Sequence, residues 1–158
     1  MAEIPRLGER GGGWVVLQFA LMAAILVLGV AGPGWPDDAR WWLKGAGVLL
    51  LFAGAVLFSR AARALGSGLT PFPRPSATAE LVETGPYAVV RHPIYSAGVL
   101  VFGGISLALS PWALAGTAAL TAIWALKARV EERLLAERYP AYADYCARTR
   151  FRLVPYVY

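Results

Sequence analysis

Three stretches of this chain are free of charge, or nearly so, over lengths that match the thickness of a lipid bilayer. Residues 14–31 form an 18-residue stretch with no charge, and residues 41–59 form a 19-residue stretch with one lysine, Lys44. Residues 93–126 form a third stretch of 34 uncharged residues. A helix needs about 20 apolar residues to cross a hydrocarbon core about 30 Å thick. The sequence therefore predicts an integral membrane protein.

The third stretch is too long for a single crossing, since a helix of that length would measure about 50 Å. Ser110-Pro111 lies near its middle, where proline breaks a helix, so we predict a helical hairpin with arms at residues 94–109 and 112–126. Both arms are short for complete spans. We expect them to extend beyond the lipid into polar ends, and a re-entrant hairpin is the alternative. The predicted fold is all-α, with about four transmembrane helices and a cytoplasmic C-terminal helical segment.

The composition excludes several other classes of protein. Apolar residues make up 58% of the chain and charged residues 16%, which is incompatible with intrinsic disorder. A single cysteine, Cys146, argues against a disulfide-stapled fold, and one cysteine with one histidine argues against a zinc site, so we expect no metal. We also expect that the first stretch is not a cleaved signal peptide, because no small-residue cleavage site follows it and further spans do.

The distribution of basic residues predicts the orientation in the membrane. The N-terminal segment holds Arg6 and Arg10, residues 60–91 hold four arginines, and the C-terminal segment from Lys127 holds seven basic residues. The loop at residues 32–40 holds only Arg40. Because cytoplasmic loops carry the excess of Lys and Arg, we expect both termini in the cytoplasm, in a bacterial inner membrane. The net charge of +5 is then mostly a topology signal, and no basic soluble face for nucleic acid is expected.

The polar residues fall into two blocks, residues 60–92 and residues 127–158. Both blocks are predicted to be cytoplasmic, so they can meet in a site at the membrane surface. We expect one domain over residues 1–158, with two N-terminal spans at 1–64 and a binding core at 65–158. Residues 69–75 contain three prolines, which favour an extended path. This segment is either a linker or the wall of a pocket, and the sequence leaves the oligomeric state open.

The triplet Arg91-His92-Pro93 stands where the third apolar stretch begins. Proline suits the first position of a helix, because its missing N–H would be unpaired there. The free N–H groups of that helix start favour an anion, and Arg91 adds a planar fork for a carboxylate or phosphate. Tyr95 and Gly98 are three residues apart and share a helix face, and Gly98 would let a ligand or a neighbouring helix approach closely.

Glu131 and Glu132 continue the fourth apolar helix out of the membrane. Adjacent residues on a helix point about 100° apart, so at most one of the two carboxylates can face the helix bundle. An acidic pair at the mouth of the helices suits a binding site. The alternative is a solvated helix end paired with Arg129, Arg133 or Lys127.

Together these pieces resemble the isoprenylcysteine carboxyl methyltransferase family of integral membrane methyltransferases, and the related phospholipid N-methyltransferases share part of the pattern. The motifs are, in order, Gly85-Pro86-Tyr87, Arg91-His92-Pro93-Ile94-Tyr95-Ser96-Ala97-Gly98 and Glu131-Glu132-Arg133-Leu134-Leu135, followed by a tail with Arg150 and Arg152. The resemblance covers about 60% of the chain, from Leu65 onwards. Only two spans precede this core, fewer than in eukaryotic members, and Tyr139-Pro140 replaces the usual Phe-Gly.

The resemblance implies S-adenosylmethionine as methyl donor, bound from the cytoplasm, and a lipophilic acceptor that arrives from the bilayer. The donor's carboxylate would suit Arg91, His92 or the N–H groups at residues 93–95. Its ribose diol or ammonium would suit Glu131 or Glu132, and its sulfonium or adenine would suit an aromatic face. The implied cofactor-binding residues are Tyr87, Arg91, His92, Pro93, Tyr95, Gly98, Glu131 and Glu132, with Arg91 and His92 also catalytic.

The chemistry most like this pattern is O-methylation of an isoprenylcysteine carboxylate. N-methylation of a phospholipid amine and S-methylation of a small thiol are alternatives, and an amine acceptor would need a base, for which His92 is the only histidine. The ring of His92 could instead only cap the helix start. Two further alternatives belong to other classes: an NADPH-dependent membrane reductase, and a non-enzymatic scaffold in which Arg91 merely pairs with the glutamates.

Overall fold

The structure, a computed structural model, describes residues 11–75 and 79–155. The described residues form five α-helices and two short 3₁₀ turns, with no β-strand, which confirms the all-α prediction. The helices are α1 (Gly12–Ala31), α2 (Asp37–Leu65), α3 (Pro93–Leu109), α4 (Pro111–Arg138) and α5 (Tyr142–Arg148). The 3₁₀ turns are Gly66–Gly68 and Gly85–Ala88. Arg6 and Arg10, which entered the topology prediction, lie outside the described residues.

Three helices, α1, α2 and α4, are long and apolar enough to cross a membrane. The predicted hairpin is confirmed: α3 ends at Leu109, Ser110 is extended, and α4 begins at Pro111. The Ser110 hydroxyl accepts a hydrogen bond from the Trp112 backbone N–H at 3.3 Å, which caps the new helix. Helix α3 has 17 residues, or about 25 Å. Helix α4 continues to Arg138, well beyond its predicted arm, because good helix formers follow the apolar stretch.

Helix α3 lies between α2 and α4, and α1 packs against α4. Glycines bring α2 and α3 into close contact, since a Cβ atom added to Gly47 would lie 2.5 Å from the Gly104 carbonyl oxygen. Small residues at such crossings are typical of helices packed in membranes. Ile25 of α1 and Leu120 of α4 are fully buried in the shared core.

The two polar blocks meet at the start of α3. The backbone N–H of Arg91 donates to the carbonyl of Phe151, and the N–H of His92 donates to the carbonyl of Arg152, both at 2.9 Å. The C-terminal tail thus runs beside the residues that begin α3. This contact places the polar end of α4, the start of α3 and the tail around one site.

Candidate active site

A cavity of about 140 Å³ opens to the protein surface between the start of α3, the polar end of α4 and the proline-rich segment 69–75. Its lining includes Leu65, Leu69, Phe72, Pro73, Tyr87, Arg91, His92, Ile94, Tyr95, Glu131, Leu135 and Tyr139. Residues 69–75 are therefore a wall of this pocket, which confirms one of the two interpretations of that segment. Five of the eight predicted cofactor-binding residues line the pocket: Tyr87, Arg91, His92, Tyr95 and Glu131.

The two adjacent glutamates have different surroundings. Glu131 lines the pocket, and its Oε1 accepts a hydrogen bond from the Tyr95 hydroxyl at 2.5 Å. Glu132 points away from the pocket lining, towards α3 and the tail. Their side chains are only 15% and 13% exposed, so the helix end is not solvated. Lys127, one of the partners that this alternative named, does lie 3.9 Å from Glu131 Oε1. Because adjacent residues of a helix point about 100° apart, one carboxylate of α4 faces the cavity and the other faces α3 and the tail.

Glu132 connects the start of α3 with the tail. Its Oε1 accepts a hydrogen bond from Arg91 Nε at 2.8 Å, and its Oε2 accepts one from Arg152 Nε at 2.9 Å. The ring Nε2 of His92 lies 3.3 Å from Glu132 Oε1. Such charge-assisted bonds are the strongest hydrogen bonds in proteins. Glu132 therefore holds the elements around the pocket together.

Arg91 makes further bonds with the tail. Its side chain is 9% exposed, and its Nη1 donates to the carbonyls of Thr149 at 2.9 Å and Arg150 at 3.0 Å. We predicted that the guanidinium group of Arg91 holds the donor's carboxylate. Its Nε and Nη1 atoms instead bind Glu132 and the tail. Arg91 also lines the pocket, and its contact with a bound anion stays a prediction.

His92 is the N-cap residue of α3, but its ring forms no cap hydrogen bond. The ring instead lies between the two carboxylates, with Nδ1 at 3.5 Å from Glu131 Oε2 and Nε2 at 3.3 Å from Glu132 Oε1. The capping interpretation of this side chain is therefore wrong. The backbone carbonyl of His92 accepts the N–H of Tyr95 at 3.0 Å, so that N–H group, expected to be free for an anion, is already paired.

The two glutamates also set the charge of His92. Burial lowers the pKa of the imidazole, but hydrogen bonds to Glu131 and Glu132 and their negative charges outweigh burial, so the pKa lies above its ordinary value of 6.5. The folded protein therefore favours the protonated form of the ring, which lies between two carboxylates.

We expect the protonated ring to make stability depend on pH. A raised pKa in the folded state adds stability that is complete below the unfolded pKa of about 6.5 and is lost as pH rises through the folded pKa. The melting temperature of the purified protein should therefore fall across this window. His92→Gln should remove this part of the pH dependence, and parallel curves for the two proteins would contradict the assignment.

Tyr87 is 7% exposed and contributes an aromatic face to the pocket. Its backbone carbonyl accepts a hydrogen bond from the Tyr145 hydroxyl at 2.8 Å, which ties the turn at Gly85–Ala88 to α5. Burial and the nearby charge of Glu131 raise the pKa of the Tyr87 hydroxyl. It is therefore a neutral side chain at any ordinary pH.

Pro93 and Gly98 lie outside the pocket lining. Pro93 is buried at the first position of α3, as its sequence context predicts. A Cβ atom at Gly98 would lie 2.3 Å from the indole of Trp124, so Gly98 admits a neighbouring helix, which was one of its two expected uses. The indole in turn stacks on Tyr95, with ring centroids 5.6 Å apart. Gly98 therefore helps to place Tyr95 at the pocket.

Tyr139, Arg152 and Lys127 were not among the predicted binding residues, and Lys127 was named only as a possible partner of the glutamates. Tyr139 lines the pocket, and its hydroxyl donates to the carbonyl of Ala79. Both Tyr139 and Arg152 stand in the tail that resembles the methyltransferase family, and this was the available signal. Lys127 is buried behind the pocket. Among the described residues, no group of three or more His, Cys, Asp or Glu side chains could hold a metal ion.

Comparison with known proteins gives a family and two relatives. The family model described as phospholipid methyltransferase matches residues 42–142, which is more than half of the chain and contains the lining residues from α3 and α4. The cobalt-zinc-cadmium resistance protein CzcN of Cupriavidus metallidurans is 40% identical over 73 residues, covering 44% of this chain and 33% of that protein. The nickel-cobalt-cadmium resistance protein NccN of Alcaligenes xylosoxydans xylosoxydans is 35% identical over 72 residues, covering 44% and 34%.

The matched segment thus spans about a third of the length of each of these relatives. The family match is broader, and it agrees with the motif order and with the helices that can span a membrane. The chain belongs to the phospholipid methyltransferase family, which is the family of the membrane methyltransferases that resemble isoprenylcysteine carboxyl methyltransferase.

Proposed function

We propose that this protein is an S-adenosylmethionine-dependent membrane methyltransferase with a lipophilic acceptor. The observation that carries the proposal is Glu131, a carboxylate that is 15% exposed and faces an aromatic-lined cavity at the polar end of the helices. Family membership supports methyl transfer and disfavours the reductase and scaffold alternatives. The acceptor chemistry that we propose first is O-methylation, most like that of an isoprenylcysteine carboxylate.

The pocket residues suit the proposed donor. Its ammonium or ribose diol needs an acceptor such as the Glu131 carboxylate, and its sulfonium suits the face of Tyr87. The faces of Tyr95 are already stacked on His92 and Trp124. Arg91 supplies a positive charge for the donor's carboxylate. The cavity is smaller than the roughly 300–1,000 Å³ of typical small-molecule sites, so a ligand of this size would extend through the open side.

S-adenosylmethionine would supply a methyl group on a positively charged sulfur, and an acceptor would displace that sulfur in line. The chain contributes position and a dry environment. Glu131 and the tyrosines would orient the reacting groups, and Phe72 and Pro73 of the wall would exclude water from them. Arg91 and Glu132 keep α3 and the tail in register around the site. No strong base is needed for an acceptor that is already an anion.

The charge of His92 favours such an acceptor. The two carboxylates favour the protonated form of the ring, and a protonated ring cannot take a further proton from an amine. A carboxylate or thiolate needs no such transfer, so these acceptors fit the site. N-methylation of a phospholipid amine is the second candidate, because the description of the matched family favours it. That reaction would need an amine that reaches the site without its proton.

The stability of the methylated product towards base identifies the class of methyl acceptor. Purified protein in lipid nanodiscs is incubated with methyl-labelled S-adenosylmethionine and either a farnesylated cysteine analogue or phosphatidylethanolamine. We expect the label to enter the prenylcysteine as a methyl ester, so treatment with base should release it as methanol. Glu131→Gln should abolish this labelling. Base-stable label in phosphatidylethanolamine would support N-methylation instead, and no transfer to any lipid fraction would overturn the proposal.

We further propose that both termini and the active site face the cytoplasm. In a Cys146→Ser background, a cysteine introduced by Ala39→Cys near the start of α2 should react with a membrane-impermeant maleimide in intact cells. A cysteine introduced by Ser67→Cys, in the exposed turn Gly66–Gly68 at the other end of α2, is the matched control and should react only after the membrane is opened. The reverse pattern would overturn this orientation.

A further inference from the structure

Lys127 is a charged side chain with almost no contact with water. It lies in α4, one helical turn before Glu131, and its side chain is 1% exposed. A buried ammonium group is costly unless hydrogen bonds and opposite charge compensate for it. Ionisable residues at such positions in membrane proteins mark functional sites by default, together with the groups that they contact.

The ammonium group of Lys127 joins three separate parts of the chain. Its Nζ donates to Gln18 Oε1 of α1 at 2.8 Å and to the backbone carbonyl of Pro71 at 2.6 Å. It lies 3.9 Å from Glu131 Oε1 and 5.4 Å from the centre of the Tyr95 ring. Gln18 is 5% exposed. One buried cation therefore contacts a membrane helix, the pocket wall and the pocket carboxylate.

The bond to Pro71 attaches the middle of the wall to the helices. Pro71, Pro73 and Pro75 have no backbone N–H, so their carbonyls are their backbone groups for hydrogen bonding. The Phe72 N–H forms a local bond to the Thr70 hydroxyl at 3.3 Å. The ammonium of Lys127 thus links the middle of the wall directly to α1 and α4.

The contact with Glu131 has a second effect. Lys127 and Glu131 are four residues apart on α4, so they share a helix face. The Tyr95 hydroxyl donates to the same oxygen, Oε1, that lies nearest to the ammonium. These two neighbours hold Oε1 in place, and Oε2 lies 3.5 Å from Nδ1 of His92.

We propose that Lys127 is a positioning residue that attaches the wall at residues 69–75 to the helix bundle and orients Glu131 towards the pocket. The attachment of the wall to the bundle does not depend on which reaction the protein catalyses. The effect of Lys127 on donor binding rests on the proposed function. The residue acts through Pro71 and Glu131, since it is not part of the pocket lining.

The two lysines of the chain allow a matched test. Lys127→Met removes the buried charge, and Lys44→Met removes the lysine near the opposite end of the bundle, which lies over Trp41. Hydrogen exchange of the purified protein in detergent measures the backbone N–H groups of the four non-proline residues in 69–75, with residues 97–105 of α3 as internal reference. Titration with S-adenosylhomocysteine, the reaction product, measures binding at the pocket.

We expect Lys127→Met to speed exchange in residues 69–75 about tenfold without a similar change in α3, and to weaken S-adenosylhomocysteine about tenfold, as loss of a hydrogen-bonded buried charge implies. Lys44→Met should change neither quantity. Gln18→Met, which leaves Lys127 in place but removes one of its acceptors, should give a smaller change of the same kind. This variant decides the question if Lys127→Met does not fold.

Unchanged exchange of residues 69–75 would overturn the attachment, and faster exchange with unchanged affinity would overturn the role in binding. If the unmodified protein does not bind S-adenosylhomocysteine, the proposed function fails, while the exchange measurement still decides whether Lys127 holds the wall.

Discussion

Glu131→Gln is expected to weaken the binding of S-adenosylhomocysteine by about 10- to 150-fold. The substitution keeps the size of the side chain and removes its charge. Loss of one charge-assisted hydrogen bond to an ammonium or diol costs about 1.5–3 kcal/mol, which corresponds to this range. The stability of the protein should change less, because the Tyr95 hydroxyl can still donate to the amide oxygen at this position. Isothermal titration of the purified variant measures the affinity directly.

Glu132→Gln is the matched control for this prediction, because the two residues are adjacent and buried to a similar degree. Glu132 faces Arg91, His92 and Arg152 instead of the cavity. Removal of its charge should lower the free energy of unfolding by about 3 kcal/mol, the lower end for a broken buried ion pair. Equal effects of the two substitutions on affinity and stability would contradict the division of roles.

Arg91→Lys is expected to reduce both stability and binding. Lysine keeps the positive charge but cannot reproduce the planar set of bonds to Glu132, Thr149 and Arg150. Loss of one of these charge-assisted bonds lowers the free energy of unfolding by about 2 kcal/mol. The tail would then hold the site less firmly, and we expect about tenfold weaker binding of S-adenosylhomocysteine, or about 1.4 kcal/mol. Thermal unfolding and titration of the same preparation measure both effects.

Arg152→Lys provides the comparison for Arg91→Lys. Arg152 binds the same carboxylate, but its side chain is 31% exposed against 9% for Arg91, so its replacement should cost less. If Arg91 served only as a topology charge whose head reaches the lipid headgroups, Arg91→Lys would leave stability and affinity unchanged. That result would show that Arg91 takes no part in holding or forming the site.

The features that the sequence predicts well depend on local chemistry. The hairpin at Ser110-Pro111 follows from the conformation of proline, and the start of α3 at Pro93 follows from the same property. The meeting of the two polar blocks follows from the hairpin between them, which returns the chain to the same end of the bundle. None of these predictions needs the relative rotation of two helices.

The features that the sequence cannot predict depend on long-range packing. The angle between Glu131 and Glu132 is fixed by any α-helix, but the choice of the one that faces the pocket depends on how α4 docks, with Trp124 over Gly98. Arg91 stands 41 residues from Glu132 and 58 from Thr149, so its partners cannot be read from nearby positions. Gln18 is visible as a polar residue in an apolar stretch, but its partner Lys127 lies 109 residues away.

The most direct test of the proposed function is a titration of the purified protein with S-adenosylhomocysteine and, separately, with NADPH. We predict saturable binding of S-adenosylhomocysteine that Glu131→Gln weakens, and no binding of NADPH. Binding of NADPH without S-adenosylhomocysteine would indicate a reductase, and binding of neither ligand would leave the pocket around Glu131 without a methyl donor; both results would contradict the proposed function.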